Sequence, residues 1–266
     1  MNLRQELLEG LRCLNLTTMS EQVEETALRA AKETLTHESF LLELVRMEQA
    51  AKHGRRVERL LKQSGLLPAK TFASLQLKTF SPEIQMQIER LRDGSFIHDA
   101  VNVIAVGQPG SGKTHLACAL GRMLIDRGIP VFFCSTASLV QRLLVAKRDL
   151  RLPQEIAKLD RFDCLICDDI GYVQHDQDEM EVLFTLLAER YERRSVIITT
   201  NLVFSEWNQI FKNPLTTLAA IDRVVHHSII LDLTNVPSYR AKAAVSAKAK
   251  MSAVTGIPVP ALAAAT

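Results

Sequence analysis

One stretch of the sequence has the residue types and spacing of a phosphate-binding loop. Residues 107–114 read Gly-Gln-Pro-Gly-Ser-Gly-Lys-Thr, which fits the pattern GxxxxGKT. Its glycines let backbone N–H groups turn toward a phosphate chain. Lys113 can reach the β- and γ-phosphates, and the Thr114 hydroxyl can ligate Mg²⁺. The predicted nucleotide contacts are Gly107, Gln108, Pro109, Gly110, Ser111, Gly112, Lys113, Thr114 and His115.

The flanks of this loop decide between a phosphate site and a glycine-rich turn that contains Lys-Thr by chance. Residues 101–106 are apolar and rich in valine, which is typical of a strand buried on both faces. Residues 115–122, HLACALGR, predict a helix. A helix N-terminus adds positive potential where a phosphate would bind. Strand, loop and helix in this order favour nucleotide binding.

A second apolar stretch, residues 162–169, ends in two carboxylates. Asp168 is predicted to hold Mg²⁺ through water, and Asp169 to orient or deprotonate an attacking water. By itself the pair would be read as two turn aspartates before Ile170 and Gly171. A phosphate loop needs an acidic partner strand, so the combination favours the catalytic interpretation.

Two further segments supply polar residues near predicted strand ends. Thr200 and Asn201 follow a buried stretch, and Asn201 is a candidate for contacting the γ-phosphate or the water at the carboxyl edge of the sheet. A strand-end cap is an equally good interpretation of Asn201. Arg223 precedes the last strand and could stabilise transition-state charge on a neighbouring subunit's nucleotide. A helix-end arginine paired with Asp222 is the alternative.

Alternating apolar and helical segments predict the fold that positions these residues. We expect an α/β domain with a parallel five-stranded sheet and helices on both faces, preceded by a small all-α domain. The predicted strands are 101–106, 130–135, 162–167, 195–200 and 228–233. The predicted division is a helical domain at 1–63, a linker at 64–82, the α/β domain at 83–240 and a disordered tail at 241–266.

The helical region contains predicted turns at 15–18 and 36–39, with Thr18 or Ser20 as the cap of the second helix. Two basic clusters are candidates for DNA contact, and solvated helix faces are the alternative for both. They are Arg55, Arg56 and Arg59, and Lys147, Arg148 and Arg151.

The net charge, the apolar runs and the cysteine content limit the classes of function that the chain can have. The net charge of the 266 residues is only +2, so nucleic-acid binding would have to depend on local patches. No apolar run reaches membrane-spanning length and residues 2–10 do not form a secretory signal, so we expect a cytoplasmic protein without a membrane partner. The sequence contains five cysteines, an odd number, and most of them lie in apolar stretches. This predicts reduced, buried thiols.

These motifs occur in the order found in AAA+ ATPases. Three further segments closely resemble the IstB family of these ATPases: NLVFSEW at 201–207, DRVVHH at 222–227 and SYR at 238–240. Residues 11–19 and the LPAKT linker at 67–71 are similar to that family as well. The resemblance implies an ATP- and Mg²⁺-dependent ATPase that forms homo-oligomers with nucleotide between subunits. It also implies binding to double-stranded DNA and recruitment or stimulation of the IstA transposase.

By this resemblance the loop is Walker A, Asp168 and Asp169 are Walker B, Asn201 is sensor one and Arg223 is the arginine finger. Asp169 departs from the commoner glutamate and is shorter by one methylene, so we expect slow hydrolysis. The helical lid is missing or minimal, and Arg240 is a candidate substitute for its sensor-two arginine. A DnaC-type helicase loader is the close rival, and a small-molecule kinase is a third, less favoured reading.

Overall fold

The computed structural model describes residues 2–171, 177–202 and 224–239. The chain separates into two compact units, Met1–Lys62 and Gln63–Thr266. The helical unit contains α1 (Leu3–Cys13), α2 (Thr17–Glu33) and the greater part of α3 (His37–Ser64). This confirms that the N-terminal region is helical and that its last helix ends at Ser64. The predicted turns at 15–18 and 36–39 extend too far, because α2 already begins at Thr17 and α3 at His37.

The predicted cap of the second helix is wrong. The helix begins at Thr17, after Leu16, which makes no side-chain capping hydrogen bond. Thr18 and Ser20 lie inside the helix, and Ser20 Oγ donates to the carbonyl of Thr17 (3.0 Å). A tertiary contact takes the place of the cap, because the N–H of Met19 donates to the buried carboxylate of Glu48 on α3 (2.9 Å).

The second unit begins with short helical segments that lead into the sheet. A 3₁₀ turn at Leu77–Thr79 lies within the predicted linker, α4 spans Pro82–Leu91, and a second 3₁₀ turn spans Ser95–Ile97. Pro82 at the first turn and Ser81 Oγ, which accepts from the N–H of Ile84 (3.4 Å), fix the start of α4. The helix ends at Leu91.

Five parallel strands alternate with helices in the rest of this unit. The strands are β1 (Asn102–Val106), β2 (Val131–Ser135), β3 (Cys164–Asp168), β4 (Ser195–Thr200) and β5 (Ser228–Asp232). The helices are α5 (Lys113–Asp126), α6 (Thr136–Arg148), α7 (Leu152–Leu159) and α8 (Gln177–Arg190). All five strands overlap the segments predicted from the sequence. The observed β3 starts two residues later than predicted and includes Asp168 as its last residue.

The strand order in the sheet is β2-β3-β4-β1-β5. β1 and β4 are inner strands and are buried along their whole length, which explains the apolar runs at 103–106 and 196–198 within them. Helix α5 packs closely enough on the sheet that a Cβ at Gly121 would lie 2.8 Å from Ile166 Cδ1. The register pairs Val106 with Thr200 and with Asp232, so three strand ends meet at one edge.

All five cysteines are free thiols, as predicted. Cys118, Cys164 and Cys167 are buried, Cys134 is partly buried and Cys13 is exposed. Burial raises the pKa of the Cys134 and Cys164 thiols to about 12, so both stay protonated and serve as packing groups. Within the described part of the chain, no helix has the length and apolar character needed to cross a membrane.

Candidate nucleotide-binding site

The carboxyl edge of the sheet brings the predicted loop and strand-end residues of β1, β3 and β4 together. Their strands are neighbours in the order β3-β4-β1, so the segments that leave them emerge side by side. The loop after β1 connects to α5, which begins at Lys113. This edge is where ligands bind in open α/β sheets, and it carries the candidate site.

The loop requires glycine at three positions for two different physical reasons. Gly110 and Gly112 have φ values of 86° and 97°, a left-handed conformation that residues with a Cβ rarely adopt. A Cβ at Gly107 would lie 2.6 Å from the carbonyl oxygen of Leu233, directly after β5. The first glycine therefore permits close packing, and the other two permit the turn of the backbone.

Lys113 is buried within the loop, with only 6% of its surface exposed. Its Nζ donates to the carbonyl oxygens of Gly107 (2.6 Å) and Gln108 (3.0 Å). A buried ammonium group needs such partners. The loop therefore holds a desolvated positive charge at the start of α5, where the helix dipole also favours an anion.

A cavity of about 700 Å³ adjoins the loop, a volume within the range of small-molecule sites. Its walls contain most of the predicted nucleotide contacts together with Asp169 and Asn201. Gly107, Gln108 and Asp168 are not part of the wall. The lining residues are Lys70, Ser74, Leu75, Gln76, Thr79, Phe80, Pro109, Gly110, Ser111, Gly112, Lys113, Thr114, His115, Asp169, Asn201, Val236, Pro237 and Tyr239.

Two walls of this cavity were missed by the sequence reasoning. The segment 70–80 was interpreted only as an irregular linker, yet His115 Nε2 hydrogen-bonds to Ser74 Oγ (3.0 Å) and to the carbonyl of Thr71 (3.1 Å). The residues after β5 return to the loop, where the Tyr239 N–H donates to the carbonyl of Gly110 (3.0 Å). Parts of both segments resemble the IstB family in sequence, but nothing in their composition indicated that they would line a ligand cavity.

Two residues of the cavity wall each carry a buried polar side-chain atom that has no hydrogen-bond partner within the described part of the chain. Among the described residues, neither Ser111 Oγ nor Asn201 Oδ1 has a hydrogen bond. Buried polar atoms of this kind are uncommon and costly. Both belong to cavity-lining residues, so a phosphate oxygen could accept a hydrogen bond from the Ser111 hydroxyl, and a water molecule could donate one to Asn201 Oδ1.

The two carboxylates at the end of β3 differ in position. Asp168 is the last residue of the strand, and its Oδ1 accepts a hydrogen bond from the Thr199 hydroxyl (2.6 Å). Asp169 lies in the cavity wall and has a left-handed φ of 59°. The Asp168 carboxylate and the Thr114 hydroxyl are hard oxygen donors, so this set suits Mg²⁺. The recessed position of Asp168 fits a contact through water.

The two basic clusters differ in how their charges are paired. Arg55, Arg56 and Arg59 are exposed on α3, and only Arg55 has a carboxylate partner among the described residues, Glu48 at 3.3 Å. On α6, Lys147 pairs with Asp178 (3.0 Å) and Glu181 (2.9 Å). Arg148 and Arg151 lie 3.8 and 2.6 Å from Asp149. Arg223 and Arg240 fall outside the described residues, as does the predicted tail.

Sheet order, phosphate loop and acidic strand end together define an AAA+ P-loop fold. Two solved structures share this fold. The chain is similar to a crystal structure of the DnaC helicase loader (TM-score 0.50, 22% identity, 59% of this chain and 94% of that one). It is also similar to the replication initiator DnaA bound to AMPPCP and single-stranded DNA (TM-score 0.53, 14% identity, 73% and 67%). At these identities the likeness concerns the fold alone.

Sequence similarity defines the family. The pattern of the IstB-like ATP binding protein family matches residues 10–247, so the chain belongs to that family. It is 43% identical to an insertion sequence ATP-binding protein of Sinorhizobium fredii over 91% of this chain and 80% of the relative. It is 36% identical to the insertion sequence IS21 ATP-binding protein of Pseudomonas aeruginosa over 86% of each. The predicted family and fold are thereby confirmed.

Proposed function

We propose that the chain is an ATP-dependent transposition helper. In this proposal it assembles on duplex DNA with nucleotide between subunits, hydrolyses ATP and recruits or stimulates the IstA transposase. The observation that carries the proposal is the cavity, in which Lys113, Asp169 and Asn201 line one space in a chain of the insertion-sequence ATP-binding family. ATP binding is the part that the family and the fold support directly.

The chain's own residues would divide the work of hydrolysis. Lys113 would exchange its loop carbonyls for the β- and γ-phosphates of ATP. Thr114 and Asp168 would hold Mg²⁺, which when bound supplies positive charge to the phosphate oxygens. Asp169 would orient the attacking water from the cavity wall, and Asn201 Oδ1 would accept a hydrogen bond from that water.

The distribution of unpaired charge favours α3 as the DNA-contacting element. Arg56 and Arg59 are three residues apart on one exposed helix face and, among the described residues, have no acidic partner. A phosphate could neutralise them without displacing an existing ion pair. Lys147, in contrast, would have to give up two carboxylates first. We therefore propose α3 rather than α6 as the principal contact.

Assembly on DNA is the direct test of this function. The purified chain should form ordered assemblies on duplex DNA in the presence of a non-hydrolysable ATP analogue, visible by electron microscopy, and fail to do so without nucleotide. Lys113→Ala should abolish both nucleotide binding and assembly. Preference for single-stranded DNA, or stable association with a replicative helicase, would instead support the loader function. Absence of DNA binding with ATP bound normally would refute the helper function.

The hydrolytic roles are tested separately. Asp169→Asn should still bind Mg·ATP, because Asp168 remains, but should hydrolyse it slowly and prolong the assembled state. Arg223→Ala should bind ATP and fail to hydrolyse it. Mixing Arg223→Ala with Lys113→Ala should restore part of the activity, since one mixed interface joins an intact loop to an intact arginine. No recovery despite subunit exchange would contradict a finger acting in trans.

A further inference from the structure

The hydroxyl of Thr199 lies between the two acidic residues at the end of β3. Thr199 belongs to β4 and is completely buried. Its Oγ1 donates to Asp168 Oδ1 at 2.6 Å and accepts from the N–H of Asp169 at 2.9 Å. One side chain therefore contacts both residues, once through a carboxylate and once through the backbone.

The directions of these hydrogen bonds are determined by the groups involved. A backbone N–H can only donate, so Asp169 must donate to the Thr199 oxygen. The only proton of the Thr199 hydroxyl is then available for Asp168 Oδ1, which must accept it. This arrangement fixes the orientation of the Asp168 carboxylate. Among the described residues, Asp168 Oδ2 accepts no hydrogen bond and remains available for a ligand.

The backbone of Asp169 requires such support. Its φ of 59° is left-handed, a conformation that costs free energy in a residue other than glycine and persists where neighbouring contacts enforce it. Thr199 supplies the contacts on both sides of this residue. Its hydroxyl accepts from Asp169 N, and its carbonyl accepts from the N–H of Ile170 at 3.0 Å. The result is a turn that leaves Asp169 in the cavity wall and Asp168 behind it.

We propose that Thr199 is a positioning residue, whose hydroxyl sets the Asp168 carboxylate for the metal and the Asp169 carboxylate for the attacking water. The inference rests on the ATPase function proposed above. Thr199 is not among the predicted site residues, which are the loop, the acidic pair and Asn201. Mutating a residue that orients a metal-binding carboxylate from behind typically costs about 10- to 100-fold in metal affinity or activity.

The test compares variants of one buried side chain in the full-length protein. Thr199→Val keeps the shape and removes the hydroxyl, and Thr199→Ser keeps the hydroxyl. Ser195→Ala is the matched control, because Ser195 is equally buried at the other end of β4 and donates to the carbonyl of Phe96 (3.2 Å). Thr199→Ala is the second variant if the valine methyl beside Asp168 prevents folding.

For Thr199→Val we expect kcat to fall by about 10- to 100-fold and KM for Mg·ATP to rise, because the misplaced Asp168 carboxylate weakens the metal contact. Thr199→Ser should recover most of the rate. Ser195→Ala should keep the parental kcat even if its melting temperature falls as much as that of Thr199→Val. Parental kcat in Thr199→Val, or a serine variant as slow as the valine variant, would overturn the inference.

A binding measurement separates this inference from the proposed hydrolysis. A fluorescent ATP analogue is titrated with Mg²⁺ and with EDTA. Thr199→Val should lose affinity in Mg²⁺ and keep the parental affinity in EDTA, because the nucleotide contact that it weakens is the one made through the metal at Asp168. An unchanged gain in affinity on adding Mg²⁺ would overturn the role of Thr199 at Asp168. If the parental chain binds Mg·ATP without hydrolysing it, the hydrolytic function fails, while this comparison still decides the metal-orienting role.

Discussion

Adding one methyl group at Gly171 should disturb the site without removing any of its functional groups. Gly171 lies in the turn after β3, beside Asn201. A Cβ at this position would lie 2.7 Å from Asn201 Oδ1 and 2.9 Å from Leu202 Cγ. Ordinary contact begins at 3.4 Å, so in Gly171→Ala the Asn201 amide or the adjoining backbone must move by about 0.7 Å.

A displacement of this size has a calculable consequence for the rate. Misplacing a group that positions reactants by about 1 Å costs up to about 100-fold, so we expect kcat of Gly171→Ala to fall by about 10- to 50-fold. ATP affinity should change little, because the phosphate loop and Lys113 are not touched. Steady-state phosphate release gives kcat, and titration with a fluorescent ATP analogue gives the affinity.

Two controls make the result specific. Gly10→Ala places the same methyl where nothing lies within 4 Å, so its activity should equal that of the parent. In an Asn201→Ala background the displaced amide is gone, and Gly171→Ala should then reduce kcat little further. Parental kcat for Gly171→Ala would refute the reasoning. Fully additive losses in the double variant would show that the methyl group acts through other contacts.

The other predictions concern the loop, the DNA contact and the helical unit. Lys113→Ala removes the buried ammonium group and should weaken ATP binding by at least about 100-fold in the same titration, since charged hydrogen bonds contribute about 1.5–3 kcal/mol each; parental affinity would contradict the loop assignment. Neutralising Arg56 and Arg59 to Gln should reduce the slope of log affinity for duplex DNA against log salt by about 2, whereas Lys147→Gln should leave it unchanged. Burial raises the Glu48 pKa, but hydrogen bonds from backbone N–H groups and nearby cations outweigh burial and lower it overall. The stabilising effect of this carboxylate is therefore present above its unfolded pKa and is lost as the pH falls below 4.5. Glu48→Gln should make the free energy of unfolding fall less steeply with decreasing pH in this acidic range. A dependence as steep as that of the parent would refute this.

Local patterns were sufficient for the secondary structure and for the phosphate loop. The five strands are short, mostly apolar runs bounded by turn or charged residues, so each could be recognised without knowledge of its neighbours, although only the inner strands β1, β3 and β4 are buried along nearly their whole length. The loop was recognisable because its chemistry requires glycines, a lysine and a threonine at fixed spacing within eight consecutive residues. Errors concentrated at element ends, as at Thr17, where Glu48 from another helix replaces a local cap.

Contacts between residues distant in the chain decided the rest. Arg190 is buried and donates to four backbone carbonyls, contacts that no local pattern specifies; the acceptors are Leu159, Phe162, Asp163 and Ser195. The Lys147 charge, predicted to be available for DNA, is paired with carboxylates more than thirty positions away.

The candidate phosphate loop could therefore be recognised from the sequence itself, because consecutive residues build it. Which side chains complete the site was decided by the parallel order β3-β4-β1-β5, which brings Thr199 to within hydrogen-bond reach of Asp168 and Asp169. The same order brings Leu233 against Gly107 and allows Tyr239 to reach Gly110. No sequence spacing encodes these distances, since they arise only when strands far apart in the chain pair in register.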